Sequence, residues 1–365
     1  MTLGSAGLTA RATVENLAMP FPVQAKPAVG VVFDSDLGNG VDAALALALL
    51  YGLEGKGEAR LVSNSTTWSN LGSAAFADVL ARFYAGPPPA ANSRGFQRPL
   101  PPIGMAENSN LSGDTAVLQA VLEKQTAGGL PVYPHGIHKL NDTAEPAVLI
   151  RNALTAQYDA NCVVVLAGPA TNLVKAMDLD GGLDLIRRKV KLLAMAAGAY
   201  PDGSAEFRVK IDVAAAKRLL AEWPTPMVAV GSEVGEGLPF PGSSIEEDFA
   251  WAPAHPIVDA YRAFEPMPYD AAVPSMAAVL YAVRPDGYFK LSAPGTIGVL
   301  EDGSTRFTPA ADGRHRYLAI DPAQKERVLR TYAELASAKP VPRQFGRGPN
   351  QKKNDEPPPE PGKKP

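Results

Sequence analysis

The chain has one cysteine, little net charge and no long apolar run, and each scarcity removes a class of protein. A lone Cys162 excludes an intrachain disulfide and any cysteine-based zinc site. It lies in the apolar run 162–167 and reads as a small buried hydrophobe. A formal charge of −3 over 365 residues gives no electrostatic case for nucleic acid or an anionic membrane as partner. No stretch reaches the roughly 18 consecutive apolar residues of a transmembrane helix. Residues 1–26 lack a basic start followed by an apolar core, so no signal peptide is visible. The compartment, cytoplasmic or exported, stays open. No internal repeat is present.

What remains is an ordinary globular composition, 46% hydrophobic and 20% charged, with length enough for one large α/β domain or two smaller ones. Short apolar runs at 29–33, 59–62, 162–167, 190–195 and 226–230 read as strands. Between them, helical spacing predicts helices over 42–53, 73–84, 115–124, 144–157, 173–177 and 213–222. Strands alternating with helices imply an α/β fold, an open and mostly parallel sheet flanked by helices. Residues 86–102 are rich in Pro, Gly and Ala and read as a loop. From 288 to 320 the character changes to short β-like runs, with Asp302-Gly303 as a hairpin turn. This is a small β-rich C-terminal portion, closed by a helix over 323–336. The expected organisation is an N-terminal arm (1–27), one α/β domain (28–338) and a disordered Pro/Lys/Glu-rich tail (339–365).

Residues 29–47 carry the most chemistry. An apolar run ends abruptly at Asp34, Asp36 and Asp42, and a second apolar run begins at Ala43. Ligands of open parallel sheets bind outside the carboxyl ends of the strands. Aspartates placed there suit a hard cation or a polyol. Two carboxylates two residues apart repel unless a cation or donors compensate them. Asp42 directly precedes a helical run and could equally serve as its N-cap.

Several blocks resemble the inosine-uridine-preferring nucleoside hydrolases. Phe33-Asp34-Ser35-Asp36-Leu37-Gly38-Asn39-Gly40-Val41-Asp42 resembles the N-terminal aspartate signature, in its variant with a longer Gly-Asn turn. Leu166-Ala167-Gly168-Pro169-Ala170-Thr171-Asn172 resembles the Gly-Pro-Leu-Thr-Asn segment. Met195-Ala196-Ala197-Gly198, then Ala205-Glu206-Phe207, resembles the Met-Gly-Gly and Ala-Glu-Phe-Asn blocks. Residues 278–283 resemble the helix after the last metal-binding aspartate. The blocks occur in family order over roughly residues 28–320.

The resemblance implies hydrolysis of the N-glycosidic bond of a ribonucleoside or related ribosyl compound. A Ca²⁺ ion would hold the ribose hydroxyls and a water, and an aspartate would deprotonate that water. It casts Asp36 as catalytic base and calcium ligand, Asp34 as its support and Asp42 as a ribose contact. Thr171 becomes a calcium ligand through its carbonyl, and Glu206 binds the ribose 5′ side. Asn70, after the second strand, competes with Asn64 as a substrate contact, and Trp68 lies beside it. His255 and Trp251 fall in a segment that caps the site. Relatives are commonly dimers or tetramers, so the resemblance allows a homo-oligomer.

Three departures bear on the metal. Ala43 stands where the family has a bidentate calcium ligand, Ser275 where it has the final one, and Arg208 where it has an asparagine that contacts ribose. Asp270, five residues before Ser275, could substitute only through a rearranged loop. Gly40 stands where longer-turn variants often carry an aspartate. Calcium affinity follows ligand charge count, so affinity should fall by orders of magnitude. Arg208 brings a permanent positive charge that could pair with Asp36 or Asp42 and replace the cation.

The alternative is a catalytically degenerate homologue that binds a sugar, nucleoside or protein partner. A phosphatase of the haloacid dehalogenase type is a third reading of the Asp-x-Asp, with Asp34 as nucleophile, but Leu37-Gly38 and the later blocks do not suit it. His135 and His138 have the look of a metal pair without a third ligand and read as a plain loop. Trp223, before Pro224, reads as packing.

Overall fold

The apolar runs at 29–33, 162–167 and 190–195 become adjacent central strands of one sheet. The structure is a computed structural model, and residues 27–86, 99–107 and 109–340 are described. The arm up to residue 26, residues 87–98 of the predicted loop and the tail beyond 340 lie outside the described residues. The strands are β1 (Val29–Ser35), β2 (Ala59–Thr66), β3 (Ile103–Met105), β4 (Cys162–Ala167), β5 (Val190–Met195), β6 (Asp202–Gly203), β7 (Met227–Ala229), β8 (Phe289–Leu291), β9 (Gly295–Val299), β10 (Thr305–Pro309) and β11 (His315–Ile320). Their order is β3-β2-β1-β4-β5-β7-β11-β9-β10-β6, with β8 paired to β11.

From β3 to β11 neighbouring strands run parallel. The pairings of β9, β10, β6 and β8 are antiparallel and form the β-rich C-terminal portion. Asp302-Gly303 turns between β9 and β10, with Gly303 at φ +87°, a left-handed conformation that glycine adopts without strain. Among the described residues, no helix is long and apolar enough to cross a membrane.

The sheet is covered on both faces, so β1 is apolar at every position up to Phe33. Val31 and Phe33 join one core cluster and Val32 the other, as the two-residue period of a strand requires. The helix Asp42–Gly55 is buried from Ala43 to Leu53, which fits a run that is apolar on every side. The helices Pro274–Val283 and Lys325–Ala336 pack on it.

Several elements run beyond their apolar signal. β1 continues through Asp34 and Ser35, and β2 through the polar residues Ser63 to Thr66, all buried. Side-chain pairing permits this: Ser65 Oγ donates to Asp34 Oδ1 (2.5 Å), and the hydroxyls of Thr66 and Ser73 lie 2.7 Å apart. The helices Phe207–Ile211, Ser232–Gly237 and Gly242–Glu247 are too short to show a helical period, whereas Pro256–Phe264 has Ile257, Ala260, Tyr261 and Phe264 at helical spacing.

β1 is the point where strand order reverses. The chain leaves it first toward β2 and β3, then returns to β4 on its other side. A crevice opens at the carboxyl end of such a strand. There the Asp36 amide donates to the Ala167 carbonyl (3.1 Å) and the Thr67 amide to the Ser35 carbonyl (2.8 Å), so the turn starting at Asp36 is tied to both neighbours.

Gly168 makes that join possible. A Cβ there would lie 2.7 Å from the Ser35 carbonyl carbon and 2.8 Å from the Asp36 nitrogen. Gly168→Ala should therefore destabilise by about 1–3 kcal/mol, as overpacking against rigid backbone does. Gly128→Ala, whose added carbon meets only the Thr126 hydroxyl at 3.9 Å, should have little effect. Denaturant unfolding of the two variants checks this; equal stabilities would contradict the close approach.

Candidate active-site cleft

Four segments converge beyond the end of β1. Asp36 opens the turn after the strand, and Asp42 begins the buried helix. Ser275 lies in the first turn of the helix Pro274–Val283, and Arg208 lies on the short helix Phe207–Ile211. Asp42 does not cap its own helix; Val41 is the capping residue and makes no side-chain bond. The Asp42 carboxylate instead faces Arg208 and Ser275.

Arg208 is the hub, with only 7% of its side chain exposed, against 3% for Asp36. Its Nε donates to Asp36 Oδ2 (3.1 Å) and its Nη2 to Asp36 Oδ1 (3.1 Å), a bidentate pair. Nη2 also donates to Asp42 Oδ2 (2.9 Å). Nη1 donates to the Ala196 carbonyl (2.8 Å) and to Ser275 Oγ (3.1 Å). A guanidinium has five N–H donors, and each has an acceptor here.

The carboxylates are equally engaged. Asn39 Nδ2 adds a bond to Asp36 Oδ2 (3.3 Å). The Ser275 amide donates to Asp42 Oδ1 (3.0 Å) and its hydroxyl to Asp42 Oδ2 (2.5 Å). Burial pushes the Asp42 carboxyl up from its usual range, while Arg208 and Ser275 pull it down. Burial works to lower Arg208, but the charges on Asp36 and Asp42 outweigh it and hold the guanidinium above its usual value.

A cavity of about 480 Å³ opens over this cluster. Asp36, Asn39, Asp42 and Arg208 form its floor, and Phe264, Glu265, Tyr269 and Asp270 line it as well. Tyr269 stacks on Tyr261 with ring centroids 4.3 Å apart, which fixes this wall.

The other residues singled out in the sequence are distributed as follows. Asp270 reaches the cavity, and its Oδ1 accepts from the Gly242 amide (2.8 Å). Thr171 does not line the cavity; its hydroxyl donates to Asp212 Oδ2 (2.7 Å). Glu206 caps the helix of Arg208, with Oε2 accepting from the amides of Arg208 (3.0 Å), Val209 (3.2 Å) and Gly198 (3.1 Å).

Asn70 caps the helix Leu71–Ala85 by accepting from the Gly72 amide (2.6 Å), and Trp68 Nε1 donates to the Gly113 carbonyl (2.9 Å). His255 caps the helix Pro256–Phe264 through Nδ1 (3.2 Å to the Ile257 amide). Its ring packs among Phe83, Phe249 and Trp251, and burial lowers its pKa to about 3. Neither Asn70 nor His255 lines the cavity. The rings of His135 and His138 lie 4.9 Å apart. Among the described residues, no group of three or more His, Cys, Asp or Glu side chains is placed to hold a metal ion.

Asn39 and Ser275 are participants that sequence reading missed. Asn39 follows Asp36 at the i+3 spacing of a tight turn, which is a usable signal. Ser275 registers in the sequence only as the loss of a carboxylate.

Fold and cleft together define a nucleoside-hydrolase-like α/β protein. The chain belongs to the inosine-uridine preferring nucleoside hydrolase family, whose sequence profile matches residues 31–334. A search of curated proteins returns no match. Among solved structures, the plant nucleoside hydrolase PpNRh1 shares 18% identity over 86% of this chain and 100% of its own, with a TM-score of 0.59. An inosine-uridine preferring nucleoside hydrolase from Bacillus anthracis shares 17% over 85% and 99%, at 0.58. The type III effector XopQ, in complex with adenosine diphosphate ribose, shares 13% over 86% and 95%, at 0.59. At such identities these likenesses speak for the fold alone. The dehalogenase-type reading needs Asp34 as an open nucleophile, whereas Asp34 is fully buried.

Asp34 lies beneath the cleft floor. Its Oδ1 accepts from Ser65 and from Asn172 Nδ2 (2.8 Å), and its Oδ2 has no hydrogen-bond partner. Burial raises its pKa from 3.8 to about 7, against the pull of those two bonds. The folded state therefore holds a proton there that the unfolded chain releases near pH 4. Stability from this group is complete below about pH 4 and is lost as pH rises toward about 7. Asp34→Asn should gain stability relative to the native chain between pH 5 and pH 8. Paired denaturant titrations at the two pH values check this, and a pH-independent difference would contradict it.

Proposed function

We propose that this chain binds a nucleoside or related ribosyl compound in the Asp36–Arg208 cleft and does not hydrolyse it through an aspartate-activated water. One observation carries the reading: both oxygens of Asp36 accept hydrogen bonds from Arg208. A base must take a proton from water, and a carboxylate locked in a bidentate guanidinium pair is a poor acceptor for it.

The cleft nevertheless suits a polyol. Asp36 Oδ1 and Asp270 Oδ2 retain lone pairs for sugar hydroxyls. Phe264 and Tyr269 offer apolar surface for the sugar ring or a base. The cavity volume falls within the usual range of small-molecule sites. Family membership favours the second reading, N-ribohydrolase activity, in which Asp36 is freed when substrate arrives.

Calorimetric titration with inosine, uridine and adenosine diphosphate ribose, paired with an assay for released ribose, separates the two. The expected result is saturable binding of at least one compound, with ribose release from inosine and uridine at background. Ribose released in proportion to enzyme, and abolished by Asp36→Asn, would overturn the binding-only reading.

A further inference from the structure

We infer that Arg208 is a built-in cation standing in place of a divalent ion, and that removing it uncovers a weak divalent-cation site between Asp36 and Asp42. The inference holds whatever compound occupies the cavity. Every hydrogen-bond acceptor of the Arg208 guanidinium is an oxygen: both carboxylate oxygens of Asp36, Oδ2 of Asp42, the Ala196 carbonyl and the Ser275 hydroxyl. Carboxylates, a carbonyl and a hydroxyl are the donors a hard cation selects. The guanidinium thus satisfies an all-oxygen cage that a metal ion would otherwise satisfy.

The same arrangement excludes the metal while Arg208 is present. The four carboxylate oxygens of Asp36 and Asp42 all have donors, and a second cation would meet a fixed positive charge at hydrogen-bond range. Position 43 contributes only a buried methyl group and position 275 a hydroxyl. The donor set with Arg208 in place does not fit calcium. Without Arg208 it offers two carboxylates, a charge count that corresponds to weak, millimolar-range binding.

Calorimetry and thermal unfolding of the full chain in chelator and in millimolar CaCl₂ test this. The native chain should show no calcium heat and the same unfolding temperature in both. Arg208→Asn should unfold several degrees lower in chelator, because two buried carboxylates lose their counter-charge. Calcium should restore part of that loss by binding only the folded form. Arg208→Met, which fills the space with neither charge nor oxygen, should be equally weakened and gain nothing from calcium.

Should Arg208→Asn be unfolded in chelator, its recovery on refolding in calcium gives the same readout. Micromolar calcium binding by the native chain would overturn the replacement. An Arg208→Asn protein that calcium does not stabilise would overturn the uncovered site.

Discussion

The pairing of Arg208 with Asp36 and Asp42 is the interaction on which the cleft depends. It joins the turn after β1 and the head of the buried helix to two segments far away in the chain, a five-residue helix near 208 and the helix containing Ser275. Charges this deeply buried are stable only when their partners are complete. Removing one member of such a pair costs about 3–5 kcal/mol, since the remaining charge is left unpaired in low dielectric. Completeness is what the geometry shows, with all five guanidinium donors used. The positions of the four segments are therefore mutually dependent, and the cavity floor is preorganised before any ligand arrives.

Exchanging an ion for a side chain alters the chemistry available. A bound divalent ion lowers the pKa of its water and orients substrate oxygens. A guanidinium directs its donors in one plane and has no open coordination position. The walls remain suited to recognition, with Phe264 and Tyr269 on one side and Asp270 beside them. What the cleft retains is shape, hydrogen-bond acceptors and a fixed positive charge.

The sheet and its core were legible in the sequence because fully buried strands are continuous apolar runs. Cys162–Ala167 and Val190–Met195 have the bounds their composition implies. The Arg208 pairing could be anticipated as well, since the family resemblance sets this basic residue beside Asp36 and Asp42, the two carboxylates it contacts. Polar residues with local structural work were harder to read. Asn70, Glu206 and His255 each precede a helix and accept from its first amides, a task that needs a polar side chain as much as catalysis does. Asp34 looks equivalent to Asp36 at a spacing of two, which would share a strand face. β1 ends at Ser35, however, so the alternation stops between them. Asp34 stays within β1, its side chain held by Ser65 and Asn172, while Asp36 opens the turn.

Charge count explains why the three departures occur together. With Arg208 present, Asp36 and Asp42 leave one net negative charge on the floor. Carboxylates at 43 and 275, as the family resemblance implies for a calcium site, would raise that excess to three around a monovalent cation. Such a cluster is unstable without a divalent ion, because like charges at this range disfavour one another's ionised forms. Ala43 instead packs into the apolar core at 3% exposure. Ser275 has a hydroxyl that donates to Asp42 and accepts from Arg208, filling its place without adding charge. A single reversion to aspartate at either position would therefore unbalance the site. Arg208, Ala43 and Ser275 are one electrostatic unit: loss of Arg208 alone leaves two carboxylates and weak binding, and a tight calcium site could return only if all three changed together.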